Sequence, residues 1–493
     1  MKSVLALDQG TTGSTALVFE RDGDISGRGY REFPQYFPQP GLVEHDPEEI
    51  FDATVKAARD AIAQAGYAPD AIGITNQRET VLVWERDTGK PLHRALVWQD
   101  RRTTERCREL LQHYGSEFLR DRTGLIWDPY FSGTKVEWLL DNVDGLRSRA
   151  ERGEAVFGTV DTWLVYKLTN GRTFITDHTN ASRTLLYNIE SHDWDVDLLD
   201  VFQLPRESLP EIRASSEVVG VASAEFFGGE MPIAGIAGDQ QAALFGHACW
   251  ESGSAKCTYG TGAFLLENIG SKRTRTAETK VLTTVACDSY GKPTYALEGS
   301  VFVAGAAVQW IRDELGIIDD SAETENLAAS VPDNGGVYFV PALVGLGAPY
   351  WEPRARGTIV GLTRGTSKAH LARAVLESMA YSTRDVAQSM LATSGVALGE
   401  LRVDGGATAN DWLMQYQADV LGVSVGRPAH LDTTALGAAG LAGLATGLWD
   451  SPADFAASRE YEWFKPGETK DDLYRGWQRA VETTLYWADS ETS

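Results

Sequence analysis

The sequence predicts an α/β protein built from two halves of similar layout, and three observations carry this. Apolar strand patterns alternate with amphipathic helical ones along the chain. The stretch VLALDQGTTGSTALVFERDG (4–23) sets a loop of glycines and hydroxyl side chains between two apolar strands. A later stretch, SAKCTYGTGAFLLE (254–267), repeats that layout with different residues. At 493 residues the chain suffices for two large domains, expected to be 1–246 and 247–493.

Val4 to Leu7 reads as a buried strand, Ala16 to Phe19 as its neighbour, and Asp22-Gly23 as a turn into a polar third strand over 27–32. A helix is predicted over 47–65. Asp46 is its N-cap and Pro47 its first residue, with Ile50, Phe51, Thr54, Val55, Ala58 and Ile62 recurring at three and four. AIGITNQ (71–77) and TVLVWE (80–85) follow as strands. Ile233 to Ala237 is a strand entering a small-residue helix. Leu401 to Val403 is another, leading through Gly405-Gly406 to a helix over 410–421. In ALGAAGLAGLATGLW (435–449), Gly437, Gly440 and Gly443 recur at helical spacing, as in a buried helix pressed against a neighbour.

An apolar fraction of 43% with 10% aromatics fits a globular protein and not a disordered one. The net charge of -24 leaves no basic stripe for nucleic acid, so an anionic ligand must be met by local N–H groups, hydroxyls or Mg²⁺. Cys107, Cys249, Cys257 and Cys287 lack C-x-x-C spacing and read as buried free thiols. No apolar run reaches the roughly 20 residues of a membrane span. A cytoplasmic location without membrane insertion is expected.

Four stretches join polar groups to strand ends or tight loops. Gly10, Thr11, Thr12, Gly13 and Ser14 form either an ordinary loop or a phosphate cradle beside a metal-facing Asp8. They match neither G-x-x-x-x-G-K-[ST] nor G-x-G-x-x-G. Arg78 and Glu79 form either a surface charge pair or a polyol reader, the guanidinium donating to hydroxyl oxygens and the carboxylate accepting from hydroxyl protons. Asp239 is either a helix N-cap or a general base at a strand end, with Gln240 orienting the substrate. The Gly260-Thr261-Gly262 loop is a turn or a second phosphate clamp. Gly405-Gly406 is a turn or a bare backbone surface for a flat ligand such as adenine.

Taken together, LDQGTT, ITNQRET, LVWQDRRT, DPYFSGTK, GIAGDQQAALFG, YGTGAF and VDGGATAN resemble the FGGY carbohydrate kinases over nearly the whole chain. The resemblance implies two RNase H-like domains of the actin/hexokinase ATPase type flanking a central cleft that closes on Mg-ATP and glycerol. It implies phosphoryl transfer from ATP to glycerol, with another polyol or a pentulose as the alternative acceptor. Asp239 would be the catalytic base. Arg78, Glu79, Tyr130, Asp239 and Gln240 would bond the glycerol hydroxyls, with Trp98 and Phe264 packed on its carbon chain. Thr11, Thr12, Gly13, Thr261, Gly305, Gln309, Gly406 and Asn410 would contact the nucleotide, and Asp8 would hold Mg²⁺ through water. Gly305 and Gln309, four apart, suit one face of a helix start. A homodimer or homotetramer is implied as well. The chain departs from the family's loop at Thr15, where arginine is usual.

Overall fold

The computed structural model describes residues 3–274 and 280–490. Two mixed sheets dominate it. The first is made by β1 (Ser3–Gln9), β2 (Gly13–Glu20), β3 (Ile25–Glu32), β4 (Ala71–Asn76), β5 (Ser216–Ala222) and β6 (Met231–Gly238), in the order β5-β6-β4-β1-β2-β3. The second is made by β7 (Ser254–Tyr259), β8 (Ala263–Gly270), β9 (Leu282–Cys287), β10 (Pro293–Val301), β11 (Glu400–Asp404), β12 (Ser424–Pro428) and β13 (Tyr461–Phe464). Its order is β9-β10-β8-β7-β11-β12-β13.

The repeated layout in the sequence is a repeated sheet plan. In the first sheet β1, β2 and β3 form an antiparallel meander, while β4 and β6 run parallel to β1. In the second, β7, β8 and β10 form the meander, while β11 and β12 run parallel to β7. Each glycine loop is the first hairpin of its sheet. Parallel strands need long crossovers, so helices cover both faces. One of them, α1 (Pro47–Ala65), spans the predicted residues, and the Asp46 side chain accepts from the Glu48 N–H.

The other helices that position the site are α2 (Asp239–Gly246), α3 (Gly305–Asp313), α4 (Lys368–Ser394), α5 (Asp411–Leu421) and α6 (Thr433–Thr446). Although α6 belongs to the second half of the sequence, it lies on the first sheet and against α2. A Cβ on Gly73 of β4 would fall 2.1 Å from the Ala438 carbonyl oxygen, and one on Gly437 would fall 1.8 Å from that of Ala242. Only glycine allows these backbones to meet. All four cysteines are free and buried. Among the described residues no helix is long and apolar enough to cross a membrane.

Candidate active site

Parallel pairing brings the ends of β1, β4 and β6 level. Gln9 lies beside Asn76, and Asn76 beside Gly238. The residues that leave these strands therefore meet at one edge: Gly10 after β1, Gln77 to Thr80 after β4, and Asp239 after β6. A ring of hydrogen bonds joins the first two. Gln77 Nε2 donates to Gln9 Oε1 at 3.0 Å, Thr80 Oγ1 donates to Gln77 Oε1 at 2.9 Å, and the Trp98 N–H donates to Thr80 Oγ1 at 3.2 Å. Trp98 Nε1 donates in turn to Thr11 Oγ1 at 2.9 Å. The predicted polyol wall and the predicted phosphate loop are thus held in one frame.

Arg78 and Glu79 are not a surface pair, for only 3% and 1% of each is exposed. Arg78 forks onto Glu298 of β10, with Nη1 to Oε2 at 2.6 Å and Nη2 to Oε1 at 3.2 Å. Its Nε lies 3.2 Å from Asp239 Oδ1, and Nη2 donates to the Tyr130 hydroxyl at 3.5 Å. Glu79 accepts from Arg183 Nε at 2.6 Å, and Arg183 Nη2 reaches Glu298 Oε1 at 2.9 Å. Burial opposes ionisation of Glu298, but Arg183 and Arg78 outweigh it and hold its carboxyl at about 2. Glu79 has a positive φ of 62°, a conformation costly for a residue with a Cβ, and its carbonyl accepts from Ser132 Oγ at 2.8 Å.

Asp239 is the first residue of α2 and not its N-cap, a position held by Gly238. Its side chain is 34% exposed, and Oδ1 accepts from the Gln240 N–H at 2.7 Å. Gln240 Oε1 accepts from Lys256 Nζ. Lys256 is fully buried on β7, and burial pushes its ammonium down. Tyr130 and Trp98 stand edge to face at 5.6 Å. Register puts Phe264, Thr258, Lys256, Asp404 and Glu298 on one face of the second sheet, because Thr258 pairs Phe264 and Asp404 while Lys256 and Glu298 both pair Leu266.

Two expectations for the first loop change. The loop is only Gly10 to Thr12, closed by the Gly10 N–H donating to the Gly13 carbonyl at 2.9 Å. Gly13 and Ser14 are buried in β2. A Cβ on Gly13 would meet the Tyr30 hydroxyl at 2.7 Å, and Ser14 Oγ bonds Thr54 of α1 at 2.8 Å. Ser14 is therefore a sheet-to-helix contact and not a loop donor. Asp8 is the next-to-last residue of β1, and its carboxyl is pushed up to about 7, by burial first and then by the charges of Asp239 and Asp432. Among the described residues no group of three or more His, Cys, Asp or Glu is arranged to hold a metal ion.

A cavity of about 450 Å³ opens in the second half, lined by Thr261, Gly305, Gln309, Gly406 and Asn410 together with Ala322 and Leu376. All five residues expected at the nucleotide from that half meet here, whereas Thr11, Thr12 and Gly13 are not among its lining. The Gly305 N–H donates to the Gly260 carbonyl at 2.9 Å, which docks the start of α3 on the second glycine loop. Asn410 caps α5, accepting from the Leu413 N–H at 2.8 Å, and its Nδ2 reaches Thr324 Oγ1 at 3.2 Å. A larger cleft of about 1030 Å³ lies elsewhere, between the turn after β2 and residues 428–460. It contains none of these groups.

Sequence reading missed Glu298, Arg183 and Lys256. Their only signal is a charged residue inside an apolar run, as in YALEGSV, ASRTLLY and SAKCTY.

Residues 3–246 match the N-terminal domain of the FGGY family of carbohydrate kinases, and residues 255–446 match its C-terminal domain. The chain is 54% identical to glycerol kinase 2 of Thermotoga maritima, over 99% of both chains. It is 56% identical to the glycerol kinase of Deinococcus radiodurans, over 99% of this chain and 98% of that one. The crystal structure of Plasmodium falciparum glycerol kinase with ADP superposes with a TM-score of 0.93 at 36% identity, covering 98% of each chain. By sequence and fold alike, the chain belongs to the FGGY family of carbohydrate kinases.

Proposed function

We propose that the chain transfers the γ-phosphoryl group of ATP to glycerol, giving sn-glycerol 3-phosphate and ADP. The observation that carries this reading is the meeting of Arg78, Asp239, Tyr130 and Trp98 at one strand edge, facing the sheet whose glycine loop lines the 450 Å³ cavity. Full-length identity above half to glycerol kinases supports the choice of acceptor.

In this reading Asp239 accepts the proton of the attacking hydroxyl and aligns its oxygen, while Gln240, steadied by Lys256, and Tyr130 bond the remaining hydroxyls. Glu79 accepts from a hydroxyl and Arg78 donates to one. Trp98 and Phe264 cover the carbon chain. Thr11, Thr12, Gly13 and Thr261 meet the phosphates from the two hairpins, while Gly305, Gln309, Gly406 and Asn410 hold the base and sugar.

Asp8 fits Mg²⁺. A shielded carboxylate repelled by Asp239 and Asp432 favours a dication, and Mg²⁺ commonly takes one or two carboxylates with water and phosphate oxygens. Bound with the nucleotide, it supplies charge neutralisation on the phosphates. The two bodies that close over the reactants and exclude water are segment 1–246 together with α6, which packs on the first sheet, and the remainder of 247–493.

A coupled ADP-release assay with Mg²⁺ tests the reading. ADP release that depends on glycerol is expected, with xylulose a poor acceptor. Release independent of glycerol, or a higher kcat/KM for xylulose, overturns it.

A further inference from the structure

The base of the polyol pocket is a closed circuit of charges that spans both sheets. Arg78 and Glu79 follow β4 of the first sheet, Glu298 lies in β10 of the second, and Arg183 bridges them. Each Glu298 oxygen is engaged. Oε2 accepts from Arg78 Nη1 at 2.6 Å, while Oε1 accepts from Arg78 Nη2 at 3.2 Å and Arg183 Nη2 at 2.9 Å. Among the described residues the buried Arg183 Nη1 has no hydrogen-bond partner, and its guanidinium sits 5.7 Å and 5.2 Å from the Tyr130 and Phe131 ring centroids. A cluster serving stability alone gains nothing from a left-handed Glu79 and an orphaned donor.

We propose that Glu298, with Arg183, is a positioning residue for the polyol pocket: it clamps Arg78 and Glu79 in the orientation that reads the acceptor's hydroxyls. Because Glu298 belongs to the opposite sheet, the clamp forms only when the two sheets lie together. Acceptor affinity is thereby tied to the relative placement of the two halves. This rests on the reading of Arg78 and Glu79 as polyol-binding residues. Neither Glu298 nor Arg183 needs to touch the substrate. With its charge removed, Glu298 loses its hold on the Arg78 fork, since the amide of a glutamine offers one acceptor and one repelling donor pair.

The test is steady-state kinetics on Glu298→Gln, Glu298→Asp and Arg183→Lys, with Arg78→Ala in parallel and glycerol binding measured calorimetrically without nucleotide. Glu298→Gln is expected to raise the KM and Kd for glycerol tenfold or more, with the KM for ATP within twofold. Glu298→Asp, which keeps the charge, recovers part of the loss, and the Arg78→Ala/Glu298→Gln pair costs less than the product of its singles. An unchanged glycerol KM in Glu298→Gln beside a raised one in Arg78→Ala overturns the positioning role. Equal losses for both substrates, or variants that do not fold, also overturn it and assign the cluster to stability. An unchanged glycerol KM in Arg78→Ala instead overturns the reading of the pocket itself.

Discussion

Asp8 and Thr15 face each other as direct partners across the first hairpin. Direct partners share a face of an antiparallel pair, so Asp8 has an uncharged neighbour where the family pattern has arginine. The Asp8 carboxyl, raised to about 7 by burial, Asp239 and Asp432, fits that setting.

Asp8→Asn is expected to stabilise the ligand-free protein at pH 8.5 and by a clearly smaller amount at pH 5, where only part of the window has been crossed. The sign follows from linkage. A carboxyl raised in the fold binds more protons there than in the unfolded chain, so stability falls as pH rises from about 4 through 7. Asparagine removes that dependence. Melting temperatures in a metal chelator at the two pH values measure it, and an equal shift at both refutes the assignment. Turnover with Mg-ATP is expected to be lost in the same variant.

Thr15→Arg is expected to lower the KM for ATP several-fold, since a guanidinium at this position stands beside Asp8 and the Gly10–Thr12 loop. Steady-state kinetics at saturating glycerol read the effect. A KM that is unchanged or raised means that the hairpin meets phosphate without help from this strand position.

Asp239→Asn is expected to leave glycerol binding largely intact while lowering kcat by about 10²-fold or more, the usual scale for a lost general base. The carboxylate is partly exposed and lies 3.2 Å from Arg78 Nε, so the amide keeps the shape and loses the proton acceptor. Near-normal turnover removes Asp239 from proton transfer and leaves it a ligand of Arg78.

Much of the frame was legible because its signals are local. The span of α1 follows from one cap, one proline and a single apolar stripe. The sites at Arg78, Asp239 and Gly406 each follow a strand, so a change of pattern marks them. What stayed hidden depends on partners far along the chain. Glu298 meets Arg78 across 220 residues, and no local period distinguishes a buried clamp from a stray charge in a strand. Gly13 and Ser14 looked like loop residues, yet pairing with β3 and contact with Thr54 draw them into β2.

The contact between Gly437 and Ala242 extends the same logic from the site to its support. Ala242 lies three residues after Asp239, on the short helix that carries the proposed general base. A methyl at 437 would sit 1.8 Å from the Ala242 carbonyl oxygen, and backbone stands on both sides, so no side chain can turn aside. Overpacking of this kind costs about 1–3 kcal/mol or more. Gly440→Ala provides the contrast, because its methyl would press on the Phe455 ring and not on α2. Both variants are expected to melt earlier than the parent, but only Gly437→Ala should lower kcat at a temperature where both remain folded. Equal kcat values for the two would mean that α2 holds Asp239 independently of α6.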